Sequence, residues 1–202
     1  ASQPIELVST FLGAHAVPPE YKGRSKAFLD FLLKEVMPVV KKENLAEFCD
    51  IFCEEGVFSV DESRQYLKKA REMGFKLKIH ADEIVSLGGS ELAGELKATS
   101  ADHLLHASDA GIKAMAENGV VSTLLPTTAF CLREPFARAR EMIDAGCAVA
   151  LATDFNPGSG FTFSVPLMLG LAVIYMHMTA EEAITALTLN GAAAVGRADR
   201  IG

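Results

Sequence analysis

Short apolar runs alternate with longer amphipathic ones along the whole chain. Val120-Val121-Ser122-Thr123-Leu124-Leu125 and Val149-Ala150-Leu151-Ala152 are near-continuous and lack a polar face, as expected of parallel strands covered on both sides. Strands are predicted near 6–12, 47–53, 76–80, 100–104, 119–125 and 147–153. Helices are predicted near 25–42, 62–73, 89–98, 108–117, 133–145, 164–177 and 180–194. Local signals agree with these spans. Asp61-Glu62 places acidic residues at the positive end of a helix dipole, and Gly74 stops that helix. Ser108-Asp109 opens a helix that Gly119 ends, and Thr179 with Glu182 forms a capping box.

Six strand–helix units build either a doubly wound sheet or most of a (β/α)8 barrel. A doubly wound sheet would gather its site at one switch point behind a glycine-rich phosphate loop. The one candidate for such a loop, Leu87-Gly88-Gly89-Ser90, lacks the G-x-G-x-x-G spacing. Polar residues instead close several different strands, which favours a barrel. The expected fold is α/β: an incomplete TIM barrel of about six βα units, forming one domain over 1–202.

Half of the 202 residues are hydrophobic and none is Trp, consistent with an aliphatic α/β interior. A net charge of −7 argues against a nucleic-acid or anionic-membrane binder. No apolar run is long enough to span a bilayer, and Ala1-Ser2-Gln3-Pro4 lacks signal-peptide features. Cys49, Cys53, Cys131 and Cys147 form no C-x-x-C pair and read as reduced, buried thiols of a cytoplasmic protein.

The candidate chemistry lies where strands end. His80 closes one strand and Glu83 follows one turn later; Asp154 closes the last apolar strand. A carboxylate after such a run is costly unless it is paired or bound to a metal. His80 and Asp154 are therefore candidate ligands for a divalent metal, with Glu83 a base or substrate partner. His103, in Asp102-His103, is a candidate for polarising a carbonyl. His15 also falls at a strand exit, whereas His106 and His177 read as structural. Asn156-Pro157-Gly158 supplies a turn that could also present amides to a substrate.

Phe11-Leu12-Gly13-Ala14-His15-Ala16-Val17-Pro18-Pro19-Glu20-Tyr21, His80-Ala81-Asp82-Glu83, Ser100-Ala101-Asp102-His103 and Ala152-Thr153-Asp154-Phe155-Asn156-Pro157-Gly158-Ser159 resemble the imidazolonepropionases of the amidohydrolase superfamily, in order and through essentially the whole chain. The resemblance implies a cytoplasmic hydrolase of histidine degradation that opens the imidazolone ring of 4-imidazolone-5-propanoate to N-formimidoyl-L-glutamate. It implies that His80 and Asp154 hold one zinc or iron ion and that Asp154 also accepts the proton of the attacking water. Glu83 is implied to orient that water and the ring nitrogen, and His103 to polarise the carbonyl. His15, Glu83, Asn156, Gly158 and Ser159 match substrate-binding positions. The family's first-strand His-x-His has no counterpart here. The chain is thus expected to correspond to barrel strands three to eight, without the first two strands and the small β-sandwich, and to have little activity alone. A heterocycle deaminase of the same superfamily and a catalytically silent structural fragment are the alternatives. The expected partners are a small-molecule substrate and further copies of the chain, because the first and last strands would be unpaired, apolar edges.

Overall fold

Six strands form one parallel sheet in chain order: β1 (Thr10–Ala14), β2 (Phe48–Cys53), β3 (Lys76–Ala81), β4 (Ser100–His103), β5 (Val121–Leu124) and β6 (Val149–Leu151). The computed structural model describes residues 5–201. Helices cross over between successive strands. α1 (Ser25–Phe31) and α2 (Met37–Lys42) follow β1, α3 (Val60–Glu72) follows β2, α4 (Gly89–Glu95) follows β3 and α5 (Asp109–Asn118) follows β4. α6 (Pro126–Leu132) and α7 (Ala139–Asp144) join β5 to β6; α8 (Val165–Tyr175), α9 (Ala180–Leu187) and α10 (Leu189–Ala194) come last.

The sheet curls. Thr10 and Leu12 of β1 and Ala150 of β6 line one interior cavity of about 360 Å³. No hydrogen-bonded pairing between β1 and β6 is found among the described residues, so the fold is a partial α/β barrel. The strand period sorts the side chains. Cys49, Ile51 and Cys53 point outward beneath the helices and are fully buried, as are Ile79 and Ala81. The alternate set, Asp50, Lys78, His80, Asp102 and Thr123, lines the interior. All four cysteines are free; Cys49, Cys53 and Cys147 are buried as expected, Cys131 is only half-buried, and burial pushes the Cys49 thiol up to about 12.

Several details differ from the sequence expectation. β1 starts at Thr10 rather than near residue 6, where its register with Phe48 begins. The expected helix 25–42 is interrupted by a π-helical stretch at Leu32–Val36. Pro38 lies just after it, and a proline removes one amide and crowds the carbonyl four residues back. α6 was not anticipated, because two adjacent threonines are poor helix formers, although Pro126 at its first turn is a start signal. The helix expected from 133 begins only at Ala139, after Arg133 (φ 61°) ends α6.

The β6 edge is less open than its apolar sequence suggests. Ala148 O and Ala152 N bond to β5, so the carbonyl of Val149 faces the other side, where Asn190 Nδ2 donates to it at 2.8 Å. Arg197 then ties the C-terminal end back to the first strands, through Glu6 at 2.7 Å and Glu47 at 2.5 Å.

Candidate metal centre and active site

The C-terminal ends of β1, β3, β4 and β6 carry the candidate side chains His15, His80, His103 and Asp154. His80 stands opposite Asp102 in the β3–β4 register, and His103 stands opposite Ala81. The rings of His80 and His103 are 5.2 Å apart; His15 lies 5.7 Å from His80 and stacks on Phe52 at 5.2 Å. Glu83 Oε1 is 3.5 Å from His103 Nδ1. Asp154 and His80 line the same interior cavity. Three of the strand-exit residues, Asp82 (φ 49°), His103 (φ 75°) and Asp154 (φ 48°), have left-handed backbones. Strain of this kind persists only where surrounding contacts enforce it, and it clusters at functional sites.

Those contacts are visible. α6 places Thr128 so that its Oγ1 donates to Asp154 Oδ2 at 2.8 Å, while Thr127 donates to Thr153 O at 2.7 Å. Glu54, fully buried at the end of β2, accepts the backbone N–H groups of Glu83, Ile84 and Val85 at 3.0, 2.9 and 3.3 Å. It therefore fixes the loop that carries Glu83. Glu54→Ala is expected to cost about 3 kcal/mol, since three part-buried amides lose a charged acceptor; urea denaturation would measure it, and a loss under about 1 kcal/mol would contradict this role.

The polar interior extends beyond the residues that the sequence singles out. Asp50, His80 and Asp102 bring ligand atoms within 4.8 Å of one another. Asp102 is held by Ser100 Oγ at 2.9 Å, and that hydroxyl accepts from the buried Lys78 Nζ at 2.6 Å. Asp50 Oδ1 accepts from Ile51 N at 2.7 Å. Its Oδ2 is 3.0 Å from His80 Nδ1 but off the line of the ring N–H, so Nδ1 is close to the carboxylate yet has no true hydrogen bond. Asp50 carries a sequence signal of its own: a carboxylate in the middle of Phe48-Cys49-Asp50-Ile51-Phe52 must be compensated.

The charges follow from this packing. Burial opposes a charged His80, but Asp50, Asp102 and Asp154 outweigh it and raise the imidazole to about 9. Burial and the neighbouring His80 hold His103 down at about 3, so it is neutral. Burial, opposed by His80, pushes Glu83 up to about 7. Three carboxylates thus face one lysine around a pair of histidines. That negative surplus and the N/O donor set fit a divalent metal cation.

The remaining expected residues are placed differently. Asn156 spends its amide within its own loop, donating to Asp154 O at 2.8 Å and to Ser159 Oγ at 3.0 Å. Its Oδ1 accepts from the amides of Gly158 and Ser159, both at 2.8 Å. The three residues form a turn that shapes the Asp154 exit. Leu87-Gly88-Gly89-Ser90 does present a nest of amides, but Asp82 occupies it with both carboxylate oxygens.

Fold and site together define a chain of the α/β-barrel class, with candidate acid, base and ligand side chains at the strand ends around a metal-type donor set. It belongs to the amidohydrolase family, which it matches over residues 42–202. Family membership and the Asp50–His80–Asp102 cluster support a metal cofactor. An imidazolonepropionase of Clostridium tetani is 69% identical over 198 residues, covering 98% of this chain and 47% of the relative. One from Bacteroides thetaiotaomicron is also 69% identical, over 98% of the chain and 48% of the relative. The chain therefore spans about half the length of the curated relatives it matches. Among solved structures, a guanine deaminase from C. acetobutylicum superimposes with a TM-score of 0.71 at 15% identity, over 96% of this chain and 52% of that one. A zinc-bound adenosine deaminase from Xanthomonas campestris gives 0.63 at 20% identity, over 91% and 45%. These two show the shared fold. No helix among the described residues is long and apolar enough to cross a membrane.

Proposed function

We propose that this chain supplies one wall of a metal-dependent cyclic amidase that opens the imidazolone ring of 4-imidazolone-5-propanoate to N-formimidoyl-L-glutamate in cytoplasmic histidine degradation. The observation that carries the reading is the convergence of His80, Glu83, His103 and Asp154 at the ends of neighbouring strands. Identity of 69% to proteins named imidazolonepropionase supports this choice of substrate.

His80 and Asp154 would hold a zinc or iron ion, which supplies Lewis acidity and lowers the pKa of the attacking water. The chain's own groups do the rest. Asp154, kept in place by Thr128, takes the proton from the water as its oxygen bonds to the ring carbonyl carbon. It then passes that proton to the ring nitrogen as the C–N bond breaks. His103, neutral at working pH, donates a hydrogen bond to the carbonyl oxygen as negative charge develops there. Glu83, raised towards neutrality, orients the water and the ring nitrogen. His15 and the Asn156–Ser159 turn border the substrate.

Two ligands hold a metal weakly, so the chain alone should retain little after dialysis and turn over slowly. Joined to a polypeptide that supplies a His-x-His first strand, it should hydrolyse imidazolonepropionate. In that assembly His80→Ala or Asp154→Ala should abolish turnover. Glu83→Gln should slow catalysis and keep the metal. Turnover of an aminated purine in place of the imidazolone would reject the substrate assignment, and metal loss in Glu83→Gln would reject the role of Glu83. Gel filtration would test the accompanying reading that copies of the chain associate.

A further inference from the structure

Asp50 is a buried carboxylate, 2% exposed, in a barrel interior where charge must be balanced. The cation available nearby, Lys78, is committed elsewhere: it bonds Ser100, and Ser100 bonds Asp102. One Asp50 oxygen is pinned by Ile51 N, which leaves Oδ2 facing His80 Nδ1 at 3.0 Å. Nδ1 is buried and has no other partner. Register explains the approach, since Phe52 stands opposite His80 and Asp50 lies two residues earlier on the same interior face.

We propose that Asp50 is a positioning residue: its Oδ2 accepts a hydrogen bond from Nδ1–H of His80, fixing the tautomer and ring orientation in which Nε2 faces the strand-end cluster and is free to hold the metal. A ring nitrogen bonded to a carboxylate makes the opposite nitrogen a better and better-aimed ligand, and such partners shift metal affinity by about 10–100-fold. A swing of the His80 ring that aligns its N–H with Oδ2 completes the bond. Asp102, restrained by Ser100 and Lys78, balances the lysine and leaves the Asp50 charge for His80. This rests on His80 being a ligand, as proposed above.

The experiment uses this chain with 15N-labelled histidine, without metal, at a pH above the value to which His80 is raised. The His80 signals should show the proton on Nδ1 and none on Nε2, and Asp50→Ala should move it largely to Nε2. Zinc affinity, read by competition with a chromogenic chelator on the chain joined to the polypeptide that supplies the His-x-His strand, should fall about 10–100-fold in Asp50→Ala. The fall should be smaller in Asp50→Asn, which keeps an acceptor and the shape of the site. In a His80→Ala background, Asp50→Ala should cause no further loss. An Nε2–H tautomer in the unmodified chain, or unchanged affinity in Asp50→Ala while His80→Ala removes binding, would overturn the proposal. So would additive loss in the double variant, which would make Asp50 a ligand itself. If His80→Ala leaves zinc affinity intact, the metal reading of His80 fails, and the tautomer still decides the contact with Asp50.

Discussion

Asp82→Ala should remove a large part of the chain's stability, although Asp82 sits inside the motif that carries the candidate chemistry. Asp82 is fully buried and accepts the amides of Leu87, Gly88, Gly89 and Ser90 at 2.9–3.1 Å, together with Ser90 Oγ at 2.5 Å. Those groups form the loop after β3 and the first turn of α4, where the helix leaves its amides unpaired. Alanine would strand several buried donors, at about 1–3 kcal/mol each, and would sit less easily at φ 49°. A loss of about 4 kcal/mol or more is a large part of a typical domain's 5–15 kcal/mol. Asp82→Asn tolerates the backbone and keeps one acceptor, so it should lose roughly half as much. Equilibrium urea denaturation of both variants checks this. An alanine variant within about 1 kcal/mol of the parent would mean that solvent replaces the carboxylate in the nest.

The metal-free chain should also show a plateau of stability bounded on both sides by the histidines of the site. His103 falls from its ordinary 6.5 to about 3 on folding, so its contribution is present above 6.5 and is lost as pH falls towards 3. Glu83 rises from 4.5 to about 7, so its contribution is present below 4.5 and is lost as pH rises to 7. Between 4.5 and 6.5 the two slopes cancel. Below 4.5 His103 acts without that compensation, and stability should drop by about 2 kcal/mol as pH falls to 3. His80, raised from 6.5 to about 9, contributes fully below 6.5 and loses that contribution as pH rises through 9, a decline of about 3 kcal/mol. Denaturation midpoints measured from acid to alkaline pH test the shape. His103→Asn should flatten the acid limb and leave the alkaline one. A steep loss as pH rises from 4.5 to 6.5 would show that His103 keeps its proton in the folded chain, and a steep loss as pH falls through the same range would show that Glu83 is not raised.

The strand–helix alternation was legible because a parallel strand buried on both faces must be apolar throughout, and helix caps announce themselves locally. His80 and Asp154 were legible for a related reason: a polar residue ending an apolar run has to be compensated, and the end of a barrel strand is where compensation can come from a ligand. The local sequence could not divide the labour within His80-Ala81-Asp82-Glu83. Only folding shows that Asp82 turns away to hold the next helix while His80 and Glu83 face the site. It also could not pair residues across strands. Asp50 with His80, Lys78 with Ser100, and Thr128 with Asp154 lie 30, 22 and 26 positions apart, brought together by register and by a helix too poor in propensity to foresee. The residue types capable of the chemistry are thus a property of the sequence. Which of them meet, and with what charge, was decided by the curl of the sheet, because desolvation and cross-strand neighbours exist only once the barrel wall has formed.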